Sequence, residues 1–177
     1  MKRNDTLIET ARLFLRKMTQ NDFGDLCKIL QDSEVMYAYE GSFSNEEVQD
    51  WLDRQLNRYR NDGVGLCAVI LKKTGEMIGQ CGLTIQDIPN KRVFEVGYLF
   101  QKAYWHNGYA TEAAIACKNY AFDILGVDEV YSIVRDSNLA SQNVAKRNGM
   151  TIVGTFVKHY RGIDMPHYIF SAKRDGN

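Results

Sequence analysis

Apolar and polar residues alternate at the start of the chain and then give way to helical spacing. Leu13 and Leu15 alternate with arginines, so we predict a first strand from Ile8 to Arg16. Apolar residues then recur every three or four positions in two segments, which predicts two amphipathic helices. The first begins after the N-cap residue Thr19, and the second runs from Ser44 to about Asp62.

The middle of the chain is rich in apolar runs of strand length. Val64 to Leu71 is a continuous apolar run, which is typical of a buried strand. A turn at residues 72–75 joins it to a second strand, Met77 to Ile88, so that the two form a hairpin. Val93 to Phe100 is a further predicted strand.

The second half of the chain alternates helices and strands. We predict a long helix from about Gly108 to Leu125, a strand from Glu129 to Arg135, a short helix from about Asn138 to Asn148, and strands from Ile152 to Tyr160 and His167 to Ala172. The whole order predicts an α/β (α+β) fold, in which a central mixed but mostly antiparallel sheet of about seven strands is flanked by about four helices.

Length, charge and cysteine content narrow the class of protein. The 177 residues fit one domain, which we place at residues 1–177. The 22 basic and 22 acidic side chains cancel, so no basic footprint for nucleic acid is expected. None of the four cysteines lies in a C-x-x-C pair, and we predict no metal. Without a signal peptide or a bilayer-length apolar run, we expect a cytoplasmic protein with no membrane partner.

The most informative segment is residues 93–114, in which a strand leads through a polar loop into a helix. Unpaired N–H groups and the dipole at the start of such a helix form an anion site. Gly108 allows close approach to the backbone, and Ala110 keeps the first turn slim. No other phosphate-binding motif is present, and these residues alone favour an ordinary helix start with a loop glycine.

The same segment resembles a known cofactor motif. Residues 105–113 read WHNGYATEA and resemble the acyl-CoA-binding motif of the GNAT acetyltransferase superfamily, Gln/Arg-x-x-Gly-x-Gly/Ala. Three other segments resemble the ribosomal-protein N-acetyltransferase (RimJ/RimL-like) branch: Glu9 to Arg16, Asp32 to Met36 and Asn138 to Met150. The resemblance covers nearly the whole chain in the expected order, and it implies a GNAT-like fold.

The resemblance implies that acetyl-CoA is the co-substrate. Its pyrophosphate would rest on backbone N–H groups of the loop and first helical turn, and its pantetheine arm would follow the preceding strand. The residues implied are His106, Asn107, Gly108, Tyr109, Ala110 and Thr111 for the pyrophosphate, and Leu99, Phe100, Asn138 and Asn143 for the pantetheine. By residue type alone, Asn138 is equally a helix cap and Asn143 a solvated helix residue.

Glu95 is the candidate general base. It interrupts the apolar face of its predicted strand, and the resemblance implies an acid at this position. An amine is mostly protonated at neutral pH and attacks a thioester only after it loses a proton, which a nearby carboxylate can accept. The alternative is a structural acid paired with an arginine such as Arg92 or Arg12.

The chain departs from the family pattern at three positions. Trp105 replaces the usual Gln or Arg, so a side-chain phosphate contact is lost, and Lys102 stands where proline is common. Ala145 stands where many members carry a tyrosine general acid. By resemblance, Ser141 is the replacement candidate for that acid, although a serine there also serves to cap or pack the helix.

The location of the acceptor pocket is implied by the family resemblance, because no motif in this sequence marks it. Such enzymes build it from the segment between the first two helices and from the last hairpin. This places Tyr37, Tyr39, Glu40 and Tyr160 around the substrate, with Glu40 attracting the amine. Equally, exposed aromatic loops would form a dimer contact or pack locally.

We therefore expect an enzyme that transfers an acetyl group from acetyl-CoA to a primary amine by direct attack, with a protein N-terminal amine as the acceptor implied by the branch. One alternative is a small amine such as a polyamine, an amino acid or an aminoglycoside. Another is a non-catalytic domain that senses acyl-CoA, which Glu95 argues against and Ala145 leaves open. The branch also implies a homodimer.

Overall fold

A computed structural model describes residues 6–174 and shows an α/β fold built on one mixed sheet. The eight strands are β1 (Thr6–Glu9), β2 (Leu13–Lys17), β3 (Leu66–Leu71), β4 (Met77–Ile88), β5 (Lys91–Phe100), β6 (Glu129–Arg135), β7 (Thr151–Tyr160) and β8 (Ile163–Lys173). The helices are α1 (Phe23–Leu30), α2 (Asn45–Asn61), α3 (Tyr109–Asp123) and α4 (Leu139–Arg147). Among these described residues, no helix is both long and apolar enough to span a bilayer.

The sheet has one strand more than the sequence predicts. The predicted first strand, Ile8 to Arg16, is two antiparallel strands joined by a tight turn. The backbone N–H of Thr10 donates to Leu13 O at 2.9 Å, and Leu13 N–H donates to the Thr10 hydroxyl at 3.0 Å. Because this turn contains neither glycine nor proline, the usual sequence signals for it are missing. At the other end, β8 begins four residues before its predicted start at His167.

The strand order is β1-β2-β3-β4-β5-β6-β8-β7, and every neighbouring pair is antiparallel except β5 and β6. Helix α3 makes the crossover that a parallel pair requires. The register of β5 and β6 consists of one pair, Glu95 opposite Tyr131. Just beyond it, the Ser132 hydroxyl donates to Val96 O at 2.8 Å. From there the two strands separate, and the sheet opens in its middle.

Each face of the sheet carries its own hydrophobic core. Helices α3 and α4 cover one face, and α1 and α2 cover the other. Small residues on α3 allow the helix to lie close to the sheet: Ala113, Ala114, Cys117 and Ala121 are all fully buried. Burial of this apolar surface is the main stabilising contribution on both faces. The opening between β5 and β6 therefore lies between two packed hydrophobic cores, one on each face of the sheet.

Strands β3 and β4 approach each other very closely at Gly82. A Cβ atom at this position would lie 2.3 Å from Gly65 O and 2.9 Å from Leu66 Cα, and both are backbone atoms that cannot rotate away. By contrast, a Cβ at Gly24 in α1 would meet no atom within 4 Å. Position 82 therefore has no room for a side chain, whereas position 24 does.

We expect Gly82→Ala to lower the free energy of unfolding by about 1–3 kcal/mol, because the strands must move apart to admit a methyl group. The matched control Gly24→Ala should raise it by up to about 1 kcal/mol, because alanine loses less entropy in a helix. Urea unfolding followed by circular dichroism measures both. Equal stability of the two variants would contradict the close approach.

Candidate active site

A cleft of about 470 Å³ lies where β5 and β6 separate. Its walls come from these two strands, the first turn of α4, helix α2 with the segment before it, and the β7–β8 hairpin. The structure brings six of the sequence-predicted site residues to this cleft: Tyr39, Glu95, Leu99, Asn138, Ser141 and Tyr160. The pyrophosphate-loop residues, Phe100, Asn143, Tyr37 and Glu40 do not line it.

The Glu95 carboxylate lies in the cleft and is held from both flanking strands. Its Oε2 accepts a hydrogen bond from the Thr84 hydroxyl on β4 at 3.2 Å, and its Oε1 accepts one from Ile133 N–H on β6 at 3.3 Å. Within residues 6–174 it forms no ion pair, so the arginine partners Arg92 and Arg12 considered for a structural role are absent. A carboxylate that is fixed in a cleft and forms no direct ion pair is placed to accept a proton.

Surrounding protein shields the Glu95 carboxylate from solvent. This burial raises the pKa of Glu95 above its usual value, while the charge of Lys158 and the hydrogen bonds from Ile133 and Thr84 act in the opposite direction. A raised pKa brings the carboxylate closer to the operating pH of the cell, where a general base is most effective.

The β4–β5 ladder determines which backbone groups of β5 face the cleft. Gln101 N–H donates to Ile78 O at 2.9 Å, and the antiparallel alternation then turns the backbone of Leu99 toward its partner on β4. Phe100 O faces the other way but accepts the Trp105 indole N–H at 3.0 Å. Leu99 therefore has only its side chain available to the cleft. The backbone N–H and C=O groups of Tyr98 point away from β4 and toward the cleft.

The loop before α3 presents a row of unpaired donors. In the described part of the chain, the N–H groups of residues 108–111 make no hydrogen bond, and the first helical bond is Glu112 N–H to Gly108 O at 3.0 Å. His106 and Gly108 have positive φ values of 63° and 78°. The Asn107 side chain donates to Trp105 O at 2.8 Å and so closes the loop on itself. The loop therefore presents the unpaired backbone N–H groups that the predicted anion site requires.

Arg12 braces this loop from the β1–β2 turn. Its Nε lies 2.7 Å from Glu112 Oε2, and its Nη1 donates to Asn107 O at 2.9 Å. The guanidinium also lies over the Tyr109 ring, 4.5 Å from the ring centroid. The brace therefore holds an ion-paired guanidinium beside the unpaired N–H groups. Sequence reasoning missed this role because Arg12 and Glu112 are 100 residues apart.

The first turn of α4 forms the opposite wall. Asn138 Oδ1 accepts Ser141 N–H at 3.0 Å, so its reading as a helix cap is confirmed. The Tyr98 hydroxyl donates to Ser141 O at 2.7 Å and links β5 to α4 across the cleft. Asn143 lies on the exposed face of the helix. Ala145, which occupies the position of the family tyrosine, is fully buried in the core.

On the acceptor side, an aromatic cluster lines the cleft and Glu40 is already paired. Tyr39 and Phe43 pack edge to face against Trp51, each with ring centroids 5.9 Å apart. Glu40 forms an ion pair with Arg135 of β6, so its charge is already balanced, and its role in attracting the amine stays a prediction. Tyr37 is 44% exposed and lies outside the cleft.

Several cleft residues were not predicted from the sequence. Lys158 on β7 and Arg58 on α2 line the acceptor side, and so does His167 on β8. Burial lowers the pKa of His167, and its Nδ1 donates to Met165 O at 2.8 Å, so the neutral ring keeps a lone pair on Nε2. Strand alternation puts Lys158 on the same face as Tyr160, which is the sequence signal that would have found it.

Comparison with known proteins identifies the class. The chain matches the family described as Acetyltransferase (GNAT) domain over residues 12–151. It is 36% identical over 146 residues to the uncharacterized protein YkkB of Bacillus subtilis, covering 82% of this chain and 85% of YkkB. It is 30% identical over 166 residues to FsC-acetyl coenzyme A-N(2)-transacetylase of Aspergillus fumigatus, covering 86% of this chain and 68% of that protein.

The fold is similar to that of a GNAT-family acetyltransferase from Bacillus anthracis, with a TM-score of 0.79 and 24% identity over 94% of this chain and 97% of that one. The split sheet and the unpaired loop before α3 define an acyl-CoA-dependent acyltransferase fold. The chain belongs to the GNAT acetyltransferase family and is an acetyl-CoA-dependent N-acetyltransferase. The narrower resemblance to the ribosomal-protein branch stays a prediction.

The raised pKa of Glu95 predicts a pH-dependent cost in stability. The folded state holds this proton more tightly than the unfolded chain, so the free energy of unfolding falls as the pH rises through the folded-state pKa. Glutamine cannot ionise. We therefore expect the stability of Glu95→Gln relative to the parent to increase as the pH rises above about 4.3, the usual pKa of a glutamate side chain, and to level off once Glu95 has ionised in the folded state. Urea unfolding at several pH values measures this, and a constant difference would contradict it.

Proposed function

We propose that this enzyme acetylates a primary amine by direct attack on acetyl-CoA, with Glu95 as the general base. The observation that carries the proposal is the Glu95 carboxylate, which lies at the point where β5 and β6 separate and forms no direct ion pair among the described residues. An amine that enters from the acceptor side and a thioester that enters from the loop side would meet beside it. Positioning the two reactants in this way supplies much of the rate.

The residues around the loop fit acetyl-CoA, which supplies an activated acyl thioester when bound. The unpaired N–H groups of residues 108–111 would bind the pyrophosphate, and Arg12 would balance part of its charge. The backbone of Tyr98 and the side-chain amide of Asn138 would hold the pantetheine arm, since both face the cleft. Asn143, exposed on α4, has the weakest claim among the predicted cofactor residues.

Proton transfers at both ends of the reaction are assigned to cleft residues. The acceptor nitrogen forms a bond to the acetyl carbon while the carbon–sulfur bond breaks, and Glu95 takes the proton that the amine loses. The departing thiolate takes a proton through the Ser141 hydroxyl, which lines the cleft and regains its proton from solvent. Burial raises the pKa of Tyr98, and its hydroxyl donates to Ser141 O, so Tyr98 holds the first turn of α4 in place and is not assigned as the acid.

Two acceptor classes follow from the sequence, and one relative bears on them. The ribosomal-protein resemblance favours a protein N-terminal amine, and the alternative is a small amine. The Aspergillus fumigatus relative is named for acetyl transfer to an N(2) position, which supports a nitrogen acceptor. A domain that only senses acyl-CoA would bind the cofactor without turnover, and the kinetics described next separate it from an enzyme.

We expect Glu95→Gln to lower kcat/KM about 10²- to 10⁴-fold, the usual contribution of a general base, while leaving the Kd for acetyl-CoA unchanged. Thiol release with a panel of amines and calorimetry with acetyl-CoA give the two values. The matched control is Glu129→Gln. Glu129 lies on β6 outside the cleft and is paired with Lys91 on β5. Equal losses in both variants would remove Glu95 as the base.

We expect Gly108→Ala to weaken acetyl-CoA binding about tenfold, because a side chain at a φ of 78° strains the loop whose N–H groups would bind the pyrophosphate. The control Gly75→Ala carries similar strain, at a φ of 75°, in the β3–β4 turn, where a Cβ would meet nothing within 4 Å. Calorimetry should show weaker binding for the first variant only. Unchanged affinity in Gly108→Ala would argue against the loop as the pyrophosphate site.

A further inference from the structure

Positive charge surrounds Glu95 on the acceptor side of the cleft. Arg58 projects from α2 and Lys158 from β7, so the two cations reach the cleft from different walls. Both are half-buried, and within residues 6–174 neither forms an ion pair. Arg54, one turn before Arg58, adds a third cation to the lining. Glu95 is the carboxylate in this lining, so positive charge is in excess here although the chain as a whole is neutral.

A buried amide beside Arg58 also lacks a partner. Gln55 has no exposed surface and lines the cleft, and its Oε1 accepts hydrogen bonds from Leu66 N–H at 3.1 Å and Arg58 Nη1 at 3.4 Å. Its Nε2 makes no hydrogen bond within the described part of the chain. A buried donor left unpaired is costly, and such groups in native proteins are normally satisfied by water or a ligand.

Arg58 and Lys158 together offer charged hydrogen-bond donors to an anionic oxygen ligand. Guanidinium and ammonium groups that are partly withdrawn from water bind carboxylates through charge-assisted hydrogen bonds. Glu95, the proposed general base, lies at the same site and accepts its proton from an amine. We propose that the acceptor is a small amine that also carries a carboxylate, of the amino-acid class, with its carboxylate bound by Arg58 and Lys158 and its amine beside Glu95. This inference rests on the proposed function.

The other acceptor classes fit the cleft less well. A polyamine or an aminoglycoside would bring additional positive charges against Arg58 and Lys158. The N-terminal residue of a polypeptide has no free α-carboxylate, so it would leave Arg58 and Lys158 without an anionic partner. A small zwitterion complements both signs of charge.

The test compares acceptors that differ only in the carboxylate. Thiol release from acetyl-CoA is measured with each of the common α-amino acids and with its carboxamide. For the acids that react, kcat/KM should exceed that of the matched amide about 10- to 100-fold, the usual range for a lost charged hydrogen bond. Arg58→Gln and Lys158→Gln should each reduce this preference, because each should raise KM for the acid more than KM for the amide. Arg60→Gln is the control, since Arg60 is exposed on α2 and lies outside the cleft.

A binding measurement keeps the inference testable if turnover is slow. Calorimetry with CoA present compares N-acetyl amino acids with N-acetyl amino acid amides, and the acids should bind more tightly in a manner that depends on Arg58. Equal binding of acids and amides, or preferred turnover of C-terminally amidated peptides or polyamines, would overturn the inference while leaving the acetyltransferase proposal intact. Arg58-dependent binding of the acids without transfer to any amine would instead support the carboxylate site and count against the proposed function.

Discussion

The single registered pair between β5 and β6 is the constraint on which the rest of the site depends. A parallel sheet normally continues its ladder for several residues, and interrupting it inside a protein leaves backbone groups without partners. Here side chains close the gap: the Ser132 hydroxyl bonds to Val96 O, and the Tyr98 hydroxyl reaches Ser141 O. The opening is thereby held at a fixed width, and both reactants can approach the same carboxylate from opposite layers of the fold.

The two sides of this opening present different chemical groups to the ligands proposed for them. The cofactor side presents unpaired backbone N–H groups at the start of α3, with one ion-paired arginine beside them. The acceptor side presents side-chain cations on α2 and β7 around a half-buried carboxylate. A neutral net charge in the sequence conceals this separation, because the sum over 44 charged side chains says nothing about where they lie.

Features set by neighbours in sequence were predictable, and features set by distant contacts were not. The helix start after Gly108 follows from a glycine and a capping pattern that are adjacent in the chain, so the start of α3 was predicted to within one residue. The extra strand was missed because Thr10 makes its turn without glycine or proline. The ion pair of Glu40 was missed because its partner, Arg135, lies 95 residues away. Arg58 was missed for the same reason, since only the fold brings α2 to Glu95.

The Arg12–Glu112 brace gives the edge of the sheet a part in cofactor binding. Strand β1 is the outermost strand on its side, and outer strands open locally at a lower free energy than the core. Because the turn after β1 holds Arg12, each such opening also frees the loop before α3. By thermodynamic reciprocity, a ligand bound on that loop must slow amide hydrogen exchange in the edge hairpin, although it touches neither of its strands. The amide hydrogen-exchange rate of β1 would thus report how firmly the loop before α3 is held.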